Sequence, residues 1–80
     1  MDARKRIELL VVALNRRNGG DLSGLDFSLR LLDARIGLDS LDLAEVLVDL
    51  EREYGQTPFD RPKPPRTWDE LAQILEASTR

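Results

Sequence analysis

The chain has 80 residues, 41% of them apolar and 34% charged, and 12 Lys and Arg stand against 15 Asp and Glu, which suits one small folded domain rather than a disordered segment. The absence of Cys and His excludes disulfides, thiolate chemistry, most zinc sites and any Ser/His/Asp arrangement built within one chain. No apolar run approaches the roughly 20 residues of a bilayer span, and Met1 to Arg6 lacks the apolar core of a secretory leader, so the expectation is a cytoplasmic protein without membrane insertion.

Ile7, Leu10, Val11 and Leu14 recur at i, i+3, i+4 and i+7, which predicts an amphipathic helix. Asp2 is placed to cap its start, and Asn18-Gly19-Gly20 to end it. The basic cluster Arg4, Lys5 and Arg6 reads as a solvated helix end, because Asp2 and Glu8 lie beside it.

Residues 19–38 form a long connection with apolar anchors at Leu25, Phe27, Leu29, Leu31, Leu32, Ile36 and Leu38. Such a segment should pack over the helices rather than hang free. Ser28 followed by Leu29 to Leu32 fits a single helical turn, whereas a strand over Phe27–Leu32 would find no partner strand elsewhere in the chain.

A second helix is predicted from Ser40 to Tyr54, with Asp39 as N-cap, Asp42 as its third residue and Gly55 as its stop. Leu43, Val46, Leu47, Leu50 and Tyr54 make its buried stripe, which leaves Leu41 and Val48 facing solvent among carboxylates. Residues 39–53 carry six acidic groups (Asp39, Asp42, Glu45, Asp49, Glu51 and Glu53) against Arg52 alone, a local charge of −5. That stretch repels nucleic acid, and its natural counterpart is a basic protein surface.

The segment 56–66 holds all four prolines, which forbid a long helix, and Phe59 is its apolar anchor. A last helix starts at Thr67, with Glu70 three residues on as the second half of a capping box. Trp68, Leu71, Ile74 and Leu75 form its buried face, and Trp68 reads as core. No internal repeat and no second domain are visible.

Ser40 has two readings. Its hydroxyl can cap or open the second helix, or it can project into solvent as an attachment point. The segment Leu38-Asp39-Ser40-Leu41-Asp42-Leu43-Ala44-Glu45-Val46 resembles the central motif of acyl carrier proteins, in which an Asp-Ser-Leu triplet opens the second helix. The likeness covers the layout of the whole chain and is residue-specific over about 36–55. It implies a single 1–80 acyl-carrier domain, all-α, built as a small antiparallel bundle. Three main helices, a long first loop and a reduced, proline-rich helix III region would compose it.

The resemblance also implies that phosphopantetheine is attached to Ser40 by a phosphopantetheinyl transferase, with Asp39 helping to position metal-bound coenzyme A in that enzyme. Acyl intermediates of fatty-acid, polyketide or related biosynthesis would ride on the arm as thioesters. The chain itself would be no enzyme and a monomer when free. Its partners would be acyl-loading and condensing enzymes with basic docking patches, met by Asp39, Leu41, Asp42, Glu45, Val48 and Asp49. Two departures stand out. The proline-rich segment leaves room for at most one helical turn near Phe59–Arg61, which points to short, rigid or solvent-exposed cargo. The Asp-Ser-Leu triplet is also shared by carriers of D-alanine and other amino acids. An unmodified helical interaction module is the alternative from another class.

Overall fold

Asp2 has an extended backbone (φ −74°, ψ 162°), and its carboxylate accepts from the Lys5 amide at 2.8 Å. That cap starts α1, which runs Ala3–Arg17. A computed structural model describes residues 2–55, 57–60 and 62–78. In it α1 is followed by α2 (Ser40–Tyr54) and α3 (Trp68–Ser78), with no named strand among the described residues. Gly55 ends α2 in the left-handed region (φ 67°), its amide donating to the Glu51 carbonyl at 2.8 Å.

All three helices and the long connection share one core. Ile7, Val11 and Leu14 of α1 meet Val46 and Leu50 of α2 and Trp68, Leu71, Ala72 and Leu75 of α3. The connection adds Leu25, Leu31, Ile36 and Leu38. Each fully buried aliphatic side chain of this kind contributes about 1.5–3 kcal/mol. The radius of gyration is 11.8 Å, the value expected for a chain of this length packed around one core. No helix among the described residues is long and apolar enough to cross a membrane.

The connection between α1 and α2 is held by polar groups as well as by apolar anchors. Glu8 on α1 accepts from the Leu25 amide at 3.0 Å, and Asn15 Oδ1 accepts from the Leu22 amide at 3.0 Å. Asp26 and Asp33 each turn the chain by accepting from the amide two residues on, at Ser28 and Arg35, both at 2.9 Å. These carboxylates sit below their usual range, Asp26 through the Ser28 hydroxyl and Asp33 through the Arg35 guanidinium.

Three sequence expectations change here. The stretch around Arg30 does find a β partner, an isolated antiparallel bridge to Thr67. The Leu31 amide donates to the Arg66 carbonyl at 3.1 Å, while Leu29 and Phe27 offer their carbonyls to the Trp68 and Asp69 amides at 3.2 and 2.8 Å. The first-turn amides of α3 supply the missing edge, a partner that strand periodicity cannot reveal. Phe59 is 39% exposed, and Pro58 is the fully buried anchor beside it. The basic cluster is not merely solvated. Arg4 reaches Asp69 at 2.7 Å and lies 5.2 Å from the Phe27 ring centroid, and Arg6 reaches Glu53 at 2.8 Å.

The last helix begins as its spacing predicts. Glu70 Oε1 accepts from the Thr67 amide at 3.1 Å and the Thr67 hydroxyl accepts from the Glu70 amide at 3.1 Å. Trp68 is fully buried, and its indole N–H has no acceptor among the described residues. Among its described residues the proline-rich segment holds a turn closed by the Asp60 amide on the Thr57 carbonyl at 2.9 Å. Arg61, included in the expected turn, lies outside the described residues.

Candidate functional site

The first turn of α2 carries the residues that the motif singles out. Asp39 is its N-cap, extended at φ −97° and ψ −178°, and its carboxylate accepts from the Asp42 amide at 2.8 Å. Asp42 answers by accepting from the Asp39 amide at 3.3 Å, which closes a capping box made of two aspartates. Asp39 therefore does the capping. Ser40 is the first helical residue, exposed, and its hydroxyl has no partner among the described residues. The amides of Ser40 and Leu41 likewise find no internal acceptor there, as first-turn amides rarely do.

The last turn of α1 braces this entry. Asn15 Nδ2 donates to the Ile36 carbonyl at 2.7 Å and Asn18 Nδ2 to the Gly37 carbonyl at 3.3 Å, just ahead of Asp39. Asn18 also donates to Asp42 Oδ2 at 2.7 Å, and Arg17 bridges Asp42 at 3.4 Å and Glu45 at 2.9 Å. Asp42 is thereby held below the usual carboxylate range, first by the Asn18 amide, then by the Asp39 backbone and the nearby Arg17.

Of the six residues expected to face a partner, Asp42 does not face outward. It is 8% exposed, and its carboxylate is taken up by Asn18, Arg17 and the Asp39 amide. An aspartate at the third helical position is short enough to fold back onto its own cap, which turns it away from solvent. The other five remain at the surface in different states. Leu41 is 79% exposed and Val48 46%. These two and the exposed Ala44 lie at i, i+3 and i+7 on one stripe about 10 Å long. Asp39 is exposed, Asp49 is half-buried, and Glu45 is exposed but bound by Arg17. Among the flanking acids Glu51 is half-buried and Glu53 is bound to Arg6.

Arg17, Asn18 and Asn15 are the residues of this site that sequence reasoning passes over. Asn15 carried a signal, since it continues the Ile7 and Val11 spacing of four and so puts a polar side chain on a buried stripe. Arg17 and Asn18 carried none, because their roles depend on where α2 begins in space. The two described grooves lie elsewhere. One of about 340 Å³ runs between Lys63 and Pro65 on one side and Glu70, Gln73, Ile74 and Ala77 on the other, and the second, of about 370 Å³, adjoins it around Pro62, Pro64 and Arg66. Neither is lined by a residue of α2.

Comparison with protein-family models, with curated proteins and with solved structures finds no match.

Proposed function

We propose that this chain is an acyl carrier protein, with phosphopantetheine attached to Ser40 and acyl intermediates held on that arm for fatty-acid, polyketide or related biosynthesis. The observation that carries the reading is the division of labour at the start of α2. Asp39 caps the helix, so the Ser40 hydroxyl, exposed and without an internal partner, has no structural task of its own. The unpartnered Ser40 and Leu41 amides suit an adjacent phosphate, since a helix start favours negative charge. Further support comes from helix direction. Arg6 near the start of α1 meets Glu53 near the end of α2, and Arg17 at the end of α1 meets Asp42 at the start of α2, as an antiparallel carrier-type bundle requires.

In this reading Ser40 Oγ bonds to the phosphorus of the pantetheine phosphate of coenzyme A and gives up its proton, while the nucleotide phosphate leaves. When bound, the arm supplies a thiol on which acyl groups are carried as thioesters. The chain's own part is to present one hydroxyl at a rigid corner and to offer the exposed Leu41, Ala44 and Val48 stripe to partner enzymes. A broad-specificity phosphopantetheinyl transferase with coenzyme A should add the mass of one phosphopantetheine. Ser40→Ala should abolish the gain and leave the helical circular dichroism in place. Wild type that stays unmodified beside a loaded control carrier would defeat the assignment. The same apolar stripe fits a second reading, an unmodified helical interaction module, which that outcome would favour.

A further inference from the structure

The position of Arg17 suits a role in partner docking, one that rests on the carrier reading above. Arg17 closes α1 but spends its guanidinium on α2, at 2.9 Å from Glu45 and 3.4 Å from Asp42. Glu45 shares the outward face of α2 with Leu41 and Val48, the two exposed apolar side chains there. A partner that covers this stripe must also cover Glu45. A basic side chain brought in by that partner meets a carboxylate already holding a cation.

We propose that Arg17 is a built-in competitor for the partner's basic residue, so that docking on α2 is an exchange of one cation for another at Glu45. The partner chemistry this fits is an apolar patch for Leu41 and Val48 with a lysine or arginine beside it. The geometry favours displacement over permanence. Arg17 and Glu45 have side chains 57% and 51% exposed, and an exposed pair of this kind is worth little and is screened by salt. Asp42 keeps Asn18 and the Asp39 amide after Arg17 leaves, so the helix start survives the exchange. Arg17 thus acts on docking rather than on the reacting hydroxyl, and it is a positioning and specificity residue.

The test is the rate of Ser40 loading by a phosphopantetheinyl transferase with a basic docking surface, measured for wild type, Arg17→Gln, Arg17→Lys, Glu45→Gln and the Arg17→Gln/Glu45→Gln pair. Arg17→Gln should lower KM about two- to fivefold at low salt with kcat unchanged, and the gain should fade as salt rises. Arg17→Lys keeps the competing charge and should stay near wild type. Glu45→Gln removes the carboxylate that both cations use, so it should raise KM at low salt, by no more than about twofold because the Arg17 pair is lost with it, and it should cancel the gain in the double variant. The non-additivity is the signature, since loss of a merely structural ion pair would slow loading and lower thermal stability in both single variants. Equal KM in wild type and Arg17→Gln, or additive effects of the two substitutions, would overturn the proposal while Ser40 still loads. No loading of wild type beside a loaded control carrier would overturn the carrier reading and this proposal with it.

Discussion

Asn15 Nδ2 donates to the Ile36 carbonyl at 2.7 Å, and the oxygen of the same side chain accepts from the Leu22 amide at 3.0 Å. One buried amide therefore fastens both ends of the connection that leads into Ser40. Asn15→Leu keeps roughly the same size and leaves two backbone groups unsatisfied. Each costs about 1–3 kcal/mol, so the variant should lose about 2–6 kcal/mol of unfolding free energy. Urea titration followed by circular dichroism measures it, and a loss below about 0.5 kcal/mol would show that the clamp is dispensable.

Gly37 sits next to that clamp at φ 74°, and a β-carbon there would stand 2.8 Å from Asn15 Nδ2. Gly55 has a similar φ of 67° with nothing within 4 Å. Alanine at either position pays the left-handed penalty of about 1–2 kcal/mol. Only at Gly37 must Asn15 also move. Gly37→Ala should therefore be the more damaging variant in a paired thermal-melt comparison, and equal losses would mean that Asn15 yields without cost.

Asp42 links stability to acid. Its folded-state affinity for protons is lowered, chiefly by the Asn18 amide, so the stability it contributes is fully present above the ordinary carboxylate value of about 3.9 and is lost as pH falls below it. Asp26 and Asp33 are shifted in the same direction and add to the same acid limb. Unfolding free energy followed from pH 6 to pH 2.5 should fall less steeply for Asp42→Asn than for wild type. Parallel curves would remove Asp42 from the account.

Cargo burial gives a further prediction, on the carrier reading. Val46, Leu50, Leu71 and Trp68 are already fully buried in the shared core, and Phe59 is partly exposed. A medium-length saturated acyl group on the arm should shift amide resonances near Ser40 and leave those of Val46, Leu47, Leu50, Phe59 and Leu71 nearly unchanged. Large, chain-length-dependent shifts at these five would show that the core opens to take the chain in.

The helices were legible because their signals are local. Asp39, Ser40 and Gly55 mark the bounds of α2 within the span itself, and the spacing of Val46 and Leu50 names its buried face. Thr67 and Glu70 announce α3 by the same logic. What escaped were pairings between distant segments, such as Arg30 with Thr67 and Arg17 with Glu45, which no window of sequence contains. The inward turn of Asp42 also escaped, because at the sequence level an acid on an acidic helix looks solvated until its neighbours are placed. Phe59 misled by size. The smaller Pro58 lies inside because the turn over Thr57–Asp60 points it there.

The carbonyls of Leu29 and Phe27 receive the Trp68 and Asp69 amides, respectively, so the first turn of α3 is closed by a segment some forty residues earlier in the chain. Hydrogen exchange at these two amides consequently measures detachment of the connection rather than fraying of the helix to which they belong. They provide a pair of reporters, far from Ser40 in sequence, for any event at α2 that loosens the strap running into it.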